Sequence, residues 1–343
     1  MHGPTVSVII PVYNGEKHLA ATLDTVLAQT QLPDEIVLVD DGSTDGSAEL
    51  LDRLSVENSM TVIHQPNAGQ SAARNAAAKV ATGDLLAFLD QDDHWYPEHL
   101  EKLTRCFIAR PRVGWAHSDF DEMDGEGRIV AHRFMRAYKV VHPKYTIPDL
   151  LQQDLMIVPS AAIIRATAFN SVGGFDPQLC GYEDDDLFIR LFQAGWYGRF
   201  INRSLTRFRV HPGSSSGSGS FQESRVKFLD KLIEEFPNNP RLNRHYIRDL
   251  VFPRLFRATL GEYAAAVSMG DRDRARWLAD ILTTLAERVP GGPWRAMGLA
   301  LLRRPRVFQI LMATYRHVPR WIRPQINSSF APNMVRVSNP RLR

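Results

Sequence analysis

The chain has 343 residues, a charged fraction of 23%, a hydrophobic fraction of 44% and a net charge of +3. These values exclude a wholly disordered chain and are typical of a soluble globular protein with one large domain plus an appendage, or with two domains. The only cysteines, Cys106 and Cys180, lie far apart, which argues against a disulfide framework or a zinc site and indicates a reducing compartment. We therefore expect a cytoplasmic protein.

The first element is predicted at the N-terminus, in MHGPTVSVIIPVYN. This stretch has no basic region, and Pro11 stops its apolar run, so it predicts a strand and not a signal peptide. No run in the chain approaches the ~20 apolar residues of a membrane-spanning helix.

The first 110 residues alternate short apolar runs with amphipathic stretches. They predict strands over 6–11, 35–40, 61–64 and 85–90, and helices over 16–29, 44–54, 71–81 and 97–109. This alternation predicts βαβ units and an α/β, Rossmann-like fold whose central sheet is mainly parallel and has flanking helices. The strand-end loops of such a sheet form the ligand crevice, and here they gather polar residues: Tyr13–Glu16, Asp40–Ser43, Asn67–Gln70 and Asp90–Asp93.

Beyond residue 110 the regular alternation stops. Strands are predicted over 113–117, 129–134 and 160–164, a helix over 183–194, and further helices over 221–236, 242–270, 271–288 and 305–313. The Gly/Ser-rich stretch 213–220 is predicted to be a flexible loop. The predicted domains are therefore an α/β domain over 1–212, this loop, and a helical C-terminal region over 221–343 that ends in a basic tail.

Two acidic clusters suggest chemistry. In AFLDQDD, Asp90, Asp92 and Asp93 follow a predicted strand directly, and carboxylates that repel one another at a strand end usually hold a cation. In GYEDDDL, the four acids 183–186 open a predicted helix, whose dipole keeps them ionised and suited to general base catalysis. The alternatives are a solvated acidic turn for the first cluster and simple helix capping for the second, which accounts poorly for four acids.

Five motifs occur in order: VSVIIPVYNGEKHL, VLVDDGSTDGS, NAGQSAARN, LDQDDHWYP and GYEDDDLFIRL. Together they resemble the family 2 inverting glycosyltransferases of the GT-A fold, and the resemblance covers residues 5–212. It implies a nucleotide-diphosphate-sugar donor, a divalent metal bound through a D-x-D element, and inversion at the anomeric carbon by direct displacement. It also favours a saccharide or lipid-linked acceptor in polysaccharide or glycolipid assembly, and no nucleic acid.

The resemblance assigns the donor and metal residues. Asp92 is the expected ligand of Mg²⁺ or Mn²⁺, ions that combine few carboxylates with water and phosphate oxygens. Asp93 is expected to be structural, and Arg74 has ion pairing with a carboxylate as its alternative role. The residues expected to contact the donor are Pro11, Tyr13, Glu16, Asp41, Arg74 and Asp90.

The position of the catalytic base stays open by one residue, because three aspartates follow one another in the sequence. The resemblance makes Asp184 the base, with Asp185 as the alternative and Glu183 as a contact to acceptor or donor sugar. His211, just before the Gly/Ser-rich stretch, is a candidate for reaching the metal or diphosphate, and Trp95 is a candidate for lining the acceptor side. A structural role is the alternative for each of these two.

The C-terminal tail differs electrostatically from the rest of the chain. Beyond Glu287 there is no Asp or Glu, and ten arginines lie between 295 and 343, so the net charge of +3 combines +10 there with −7 elsewhere. Short apolar stretches and the rings of Trp294 and Trp321 accompany these arginines. This pattern predicts peripheral docking on an anionic membrane surface, at the inner face of the cell membrane. Packing against the rest of the chain and a homo-oligomer interface are the alternatives.

Other function classes fit less well. A phosphatase that forms an aspartyl-phosphate also has D-x-D after a strand, but Asp93 and the upstream NAGQSAARN do not suit it. A dinucleotide enzyme needs G-x-G-x-x-G after the first strand, and PVYNGE is not that motif. A non-catalytic sugar-nucleotide-binding module of the same fold stays open, although it would not need the acids 183–186.

Overall fold

The computed structural model describes residues 3–58, 60–211, 219–242 and 244–289. The described residues divide into two compact units, one within Met1–Leu150 and Leu155–Phe221, the other within Leu151–Asp154 and Gln222–Arg343. The division after Phe221 lies next to the predicted start of the helical region. The inclusion of Leu151–Asp154 in the second unit has no signal in the sequence. The predicted helix over 305–313 and the basic tail lie outside the described residues.

The first unit is built on a nine-stranded sheet. Its strands are β1 (Val6–Val12), β2 (Glu35–Asp40), β3 (Thr61–His64), β4 (Leu85–Phe88), β5 (His94–Trp95), β6 (Val113–Met123), β7 (Ile129–Ala131), β8 (Ala162–Arg165) and β9 (Tyr197–Arg209). The α-helices between these strands, in chain order, are α1 (Leu19–Leu27), α2 (Ser47–Asn58), α3 (Gln70–Val80), α4 (His99–Thr104), α5 (Phe134–Ala137), α6 (Ile147–Leu151), α7 (Ala166–Ser171) and α8 (Glu183–Gln193).

The strand order across the sheet is β3-β2-β1-β4-β8-β6-β9-β5, and β7 pairs with β6. Parallel pairing joins β3, β2, β1 and β4, and again β6 and β9, whereas β8 is antiparallel to both of its neighbours. The predicted α/β architecture is therefore confirmed. The parallel arrangement holds in the first half of the sheet, and the second half is mixed.

The apolar runs of the sequence explain the first half of the sheet. Every residue of β1 and β4 is buried, as strands covered on both faces require. Helix α1 buries Leu19, Leu23 and Val26, which lie on one face at a spacing of three or four residues. These side chains belong to one core cluster with Val8, Ile10 and Leu38, so the carboxyl ends of β1, β2 and β4 are held at one edge.

The long strand β9 positions the second half of the site. It runs parallel to β6 with register shifts around Asp119, and it pairs antiparallel with β5, where His94 lies opposite Arg207. Because β5 comes directly after the D-x-D element, this pairing brings the end of β9 beside those aspartates. Neither β5 nor β9 is predicted from the sequence.

The second unit is helical, as predicted, with α9 (Gly219–Glu235), α10 (Phe252–Met269) and α11 (Arg272–Arg288) as its long helices. The predicted helix over 242–270 is interrupted, because a 3₁₀ turn covers Pro240–Leu242 and a π-helical turn covers Ile247–Val251 before α10 begins. Leu260, Tyr263, Leu278 and Leu282 pack α10 against α11. The turn between them uses Gly270 in the left-handed region, with φ of 77°.

The predicted Gly/Ser loop is only partly described. Residues 212–218 lie outside the described residues, while Gly219 and Ser220 already belong to α9, so the predicted loop is too long at its C-terminal end. In the parts of the chain that the structure describes, we find no helix with the length and apolar character needed to span a membrane.

Candidate active site

Hydrogen bonds from backbone N–H groups to side-chain oxygens join the first two strand-end loops. Asn14 N donates to Ser43 Oγ (3.0 Å), and Thr44 N donates back to Asn14 Oδ1 (2.8 Å). Asn14 adopts a positive φ of 52°, a conformation that asparagine accepts more readily than most residues. Gly15 N donates to Ser47 Oγ (2.8 Å), and a Cβ at Gly15 would collide with the Gln91 side chain. The polar rim expected from the sequence is thus a bonded structure.

Tyr13 projects from this rim. Its backbone is clamped by the Gln91 amide, which accepts from Tyr13 N (2.8 Å) and donates to Tyr13 O (3.0 Å). Its side chain is 46% exposed, so an aromatic face is available to a ligand at the D-x-D loop. Pro11 lies two residues earlier and is buried within β1.

Asp41 braces the third strand-end loop. Its buried carboxylate accepts from Gln65 Nε2 (2.7 Å), Ala68 N (2.9 Å) and Gly69 N (2.8 Å). These bonds shape the segment that enters α3. Asp41, which is expected to contact the donor, therefore has both carboxylate oxygens engaged by the protein.

The Glu16 side chain contacts the segment that leads into α2. Its Oε2 accepts from Gly46 N (3.2 Å), near the start of α2. There it lines a groove of about 630 Å³ together with Asp45, Glu49 and Arg53. Glu16 thus lies where α1 and α2 begin, at the outer side of the first two loops.

Arg74 joins the two acidic clusters. Its guanidinium is 1% exposed and lies over the Phe175 ring, 5.1 Å from the centroid. Nη2 donates to Asp90 Oδ1 (2.6 Å) and Nη1 donates to Glu183 Oε1 (3.3 Å). Gln70 Nε2 donates to the same oxygen of Asp90 (2.9 Å). Of the two roles considered for Arg74, the structure displays the ion pairing with carboxylates.

Asp92 and Asp93 have different surroundings. Asp93 is buried, and its Oδ1 accepts from Arg209 N (2.8 Å); burial, and then the charges of Asp92 and Asp90, raise its pKa well above the ordinary value. Asp92 is 20% exposed, and its Oδ2 lies 2.9 Å from His211 Nε2. Burial and the charge of Asp90 raise the pKa of Asp92 as well. The Asp93 carboxylate is therefore enclosed by the protein, whereas the Asp92–His211 pair is partly exposed.

The Asp92–His211 pair suits a hard divalent cation. Residues 3–58, 60–211, 219–242 and 244–289 contain no group of three His, Cys, Asp or Glu side chains that could enclose a metal. One carboxylate oxygen leaves most coordination positions to water and phosphate oxygens, which is how Mg²⁺ is commonly bound at nucleotides. The imidazole nitrogen would add a ligand that is more usual for softer first-row metals. The crowded carboxylates Asp90 and Asp92 would be relieved by such a charge.

Arg209 is a functional-site residue that the sequence does not reveal. It is buried at the end of β9, where Nε donates to Asp92 O (2.8 Å) and Nη1 donates to Asp124 O and Gly125 O (3.1 Å each). Burial, and then the charge of Arg209, lower the pKa of His94 to about 4. Arg209 thus fixes the backbone of the D-x-D element, and no local pattern marks it because its contacts span 84 to 117 positions in the chain.

The acids at the start of α8 have separate partners. Glu183 Oε2 accepts from Gly181 N (2.8 Å), Asp185 Oδ1 accepts from Leu155 N (3.1 Å), and the buried Asp186 pairs with Arg190 (2.7 Å). Within the described part of the chain, the carboxylate of Asp184 is hydrogen bonded only to its own helix, through Asp185 N (2.8 Å). Burial, followed by the charges of Asp185 and Glu183, raises the pKa of Asp184 well above the ordinary value.

The loop before α8 is held by the start of α9. Tyr182 has a positive φ of 65°, and its ring lies 5.2 Å from that of Phe221. A Cβ at Gly181 would collide with the Phe221 ring, and Cys180 Sγ donates to Ser220 Oγ (3.5 Å). Phe221 therefore closes over the loop that presents Glu183 and Asp184, a role the sequence does not indicate.

Trp95 corrects an expectation. Its side chain is buried in the core, where Nε1 donates to Ser160 O (2.7 Å) and the ring stacks on His99 at 4.2 Å. In this position the ring has no free face for an acceptor. The alternative, a structural role, is what the structure displays.

Comparison with known proteins gives a consistent result. A family profile described as "Glycosyl transferase family 2" matches residues 7–173. An uncharacterized glycosyltransferase, alr2836, of Nostoc sp. is 40% identical over 243 residues, which cover 68% of this chain and 74% of that protein. Chondroitin synthase of Pasteurella multocida is 26% identical over 71% of this chain, which spans only 24% of that protein's length.

Solved structures share the fold. The complex of S. aureus TarS 1–349 with UDP-GlcNAc superposes with a TM-score of 0.64 at 19% identity, covering 91% of this chain and 92% of that one. Mannosyltransferase PcManGT of Pyrobaculum calidifontis, in complex with GDP-Man and Mn²⁺, superposes with a TM-score of 0.53 at 17% identity, covering 96% and 85%. These neighbours confirm the predicted GT-A fold.

Proposed function

Because the chain belongs to glycosyltransferase family 2, whose members act on nucleotide sugars, we propose that it transfers a sugar from a nucleoside diphosphate to a hydroxyl group with inversion. The acceptor is a saccharide or a lipid-linked saccharide. The observation that carries this proposal is the buried Arg74, which contacts Asp90 and Glu183 and so joins the D-x-D loop to the acidic start of α8. A metal-binding element and a candidate base then belong to one crevice.

Asp184 is the base in this reaction. Inversion requires that the acceptor hydroxyl attack the anomeric carbon on the face opposite the diphosphate. The acceptor oxygen forms a bond to that carbon, the bond to the diphosphate oxygen breaks, and the hydroxyl proton passes to the Asp184 carboxylate. The raised pKa of Asp184 makes its ionised form a stronger base than an ordinary aspartate. Asp185 and Asp186 suit the role less well, because Leu155 N and Arg190 engage them.

The D-x-D side of the crevice holds the donor. Asp92 and His211 would hold a divalent cation, Mg²⁺ or Mn²⁺, which would supply positive charge against the departing diphosphate. Tyr13 offers its exposed ring to the base, while Asp41 and Arg209 keep the surrounding loops in shape. The Mn²⁺ and GDP-Man in the complex of PcManGT and the UDP-GlcNAc in the complex of TarS support this assignment.

A donor experiment tests the proposal. The full chain is mixed with UDP-, TDP- and GDP-sugars and Mn²⁺, and release of the nucleoside diphosphate is measured. Calorimetry then compares wild type with Asp92→Asn, which keeps the side chain's size and removes its charge. We expect the variant to bind the nucleoside diphosphate about tenfold more weakly, the loss of about one charge-assisted contact. Asp273→Asn, an exposed acid on α11, is the matched control.

Excess chelator should make wild type and Asp92→Asn bind equally weakly. Unchanged wild-type affinity in chelator would show that the D-x-D element does not bind the donor through a metal. A wild type that releases no nucleoside diphosphate from any donor would contradict the proposed activity as a whole.

A further inference from the structure

One surface of the first unit combines exposed cations with exposed apolar side chains. Residues 127–148 contain five Arg and Lys residues and no Asp or Glu. Besides Val130 near its start, this segment exposes three large side chains, Tyr138 at 42%, Val141 at 67% and Tyr145 at 74%. Arg136 and Lys139 are exposed beside them. These five residues are called here the basic–aromatic surface.

The charge of this surface is not cancelled locally. Arg128 pairs with Asp124 and Glu126, and Arg133 donates to Asn202, so these two arginines are already engaged. Among the residues that the structure describes, Arg136 and Lys139 form no ion pair. The nearest acid that follows in the sequence, Asp149, accepts from Thr146 N (3.0 Å) and Tyr145 N (3.3 Å). The exposed cations therefore have charge available for a ligand.

The segment is anchored at its N-terminal end. Met135 N donates to Asp119 Oδ1 (2.8 Å), and the Phe134 ring stacks on Phe120 of β6 at 4.9 Å. Tyr138 then packs against Phe134, with ring centroids 4.5 Å apart. Tyr138 is thus held in place while much of its ring stays exposed.

Two hydrogen bonds connect the same segment to Asp185, the neighbour of the candidate base. His142 Nε2 donates to Leu155 O (2.7 Å), and Leu155 N donates to Asp185 Oδ1 (3.1 Å), next to Asp184. Burial lowers the pKa of His142 to about 4, so the ring is neutral at pH 7 and keeps this donor. The exposed Val141 and Tyr145 flank His142 in sequence. The segment that carries the basic–aromatic surface is therefore linked through Leu155 to the start of α8, where Asp184 lies.

We propose that the basic–aromatic surface binds an anionic saccharide acceptor, a chain that carries carboxylate, sulfate or phosphate groups. This inference rests on the proposed function. Arg136 and Lys139 supply charge-assisted contacts to the anionic groups. The tyrosine rings supply apolar faces for the C–H faces of sugar rings, and their hydroxyls supply hydrogen bonds. The anchoring beside α8 favours a saccharide that must present a hydroxyl to Asp184 over a lipid surface.

Binding is measured without any donor. Fluorescent decasaccharides of hyaluronan and heparin are the anionic probes, maltodecaose is the neutral probe, and anisotropy gives the dissociation constants. The variants are Arg136→Gln/Lys139→Gln and Tyr145→Ser. Arg272→Gln/Arg276→Gln, two exposed cations on α11, is the control with the same loss of charge.

We expect at least one anionic decasaccharide to bind more tightly than maltodecaose, with an affinity that falls as salt is added. Arg136→Gln/Lys139→Gln should weaken that binding about tenfold, as expected for two lost charge-assisted contacts, and Tyr145→Ser by less. The control variant should bind like wild type. Nucleoside diphosphate affinity and donor hydrolysis should stay unchanged in all of these variants, since none alters the D-x-D side.

Three results would overturn the inference: equal binding by wild type and Arg136→Gln/Lys139→Gln, equal affinity for maltodecaose, or no binding of either anionic probe. Sedimentation with phosphatidylglycerol vesicles that depends on Arg136 and Lys139, without binding of the decasaccharides, would instead assign the surface to a membrane. Failure of the proposed function is seen separately, as absence of nucleoside diphosphate release by the wild type.

Discussion

In each of the two acidic clusters, most carboxylates are held by cations or backbone N–H groups from elsewhere in the protein. The remaining carboxylate has a different kind of partner in each cluster. In the D-x-D cluster, Asp90 is bound by Arg74 and Asp93 by Arg209 N, which leaves Asp92 with an exchangeable imidazole partner, His211. In the cluster at the start of α8, Glu183, Asp185 and Asp186 have partners in other parts of the first unit or in the next helical turn. Asp184 is left with one backbone N–H of its own helix.

This difference separates the roles that we propose for the clusters. Burial and neighbouring carboxylates raise the pKa of both Asp92 and Asp184, but only Asp92 has an imidazole beside it as a second potential ligand for a cation. We therefore propose a cation site at Asp92 and a base at Asp184. Arg74 keeps the two clusters at a fixed separation. Substitutions of Asp92 and Asp184 should therefore have distinct effects. Substitution of Arg74, which contacts both clusters, should impair donor binding and transfer together.

The largest effect is expected for Arg74→Met. Removing a buried cation leaves Asp90 and Glu183 without their shared partner, which typically lowers the free energy of unfolding by about 3–5 kcal/mol. Urea denaturation measures this loss, and donor binding and transfer should both be impaired. Arg53→Met, an exposed arginine on α2, is the control. A loss below about 1 kcal/mol would mean that Arg74 does not hold the clusters together.

Asp184→Asn should separate binding from transfer. We expect transfer to fall by about 10² or more while nucleoside diphosphate affinity is retained. The variant should also melt at a higher temperature at pH 7. A carboxyl group whose pKa is higher in the folded than in the unfolded protein destabilises the fold once pH exceeds both values, and the amide removes that effect. An active Asp184→Asn together with an inactive Asp185→Asn would move the base by one residue.

Phe221→Ala should affect the α8 cluster alone. Without the ring against Gly181 and Tyr182, the loop that presents Asp184 loses its cover, and we expect kcat to fall about tenfold with little change in the donor KM. Phe221→Leu should restore part of the rate, because it refills the space. Steady-state kinetics with varied donor measure both parameters. A change in donor KM without a change in kcat would place Phe221 with the D-x-D cluster.

The smallest effect is expected for Glu183→Gln, in the pH dependence of kcat/KM. The acid limb for wild type should lie above the ordinary aspartate value of 3.8, because the pKa of Asp184 is raised. Removing the negative charge of Glu183 lowers that pKa, so the limb should shift to lower pH, by less than about one unit. Glu234→Gln on α9 is the control. A shift to higher pH would exclude Asp184 as the titrating group.

The first half of the fold was accessible to sequence reasoning because its signals are local. The predicted ranges of β2 and β3 agree with the structure at both ends, and α1 and α3 agree to within a few residues. Apolar runs buried on both faces carry this information in the sequence itself. In contrast, β9 has the sequence YGRFINRSLTRFR, where four arginines obscure any apolar pattern, and its existence depends on pairing with β6 about 85 residues earlier.

The functional residues divide in the same way. Asp92 and Asp184 belong to sequence motifs, and the variants Asp92→Asn and Asp184→Asn test their proposed roles. No motif marks Arg209, Phe221 or the Leu155 N–H. Arg209 holds the backbone of Asp92, whereas Phe221 and Leu155 N contact residues close to Asp184 in the chain. Trp95 shows the reverse case, in which a residue inside a motif belongs to the core.

The fold class, the family, the rim of polar strand-end loops and the two acidic clusters can all be inferred from the amino-acid sequence. Each of these depends on residue types and on spacings of a few positions, which hydrophobic burial and strand geometry convert directly into structure. Which acids of each cluster are held by distant donors is visible only in the tertiary structure. The donors are Arg74, Arg209 N and Leu155 N, brought to the clusters from 16 to 116 positions away in the chain. Such donors leave no local pattern, because chain separation has no effect on a hydrogen bond once the core has brought its two atoms together.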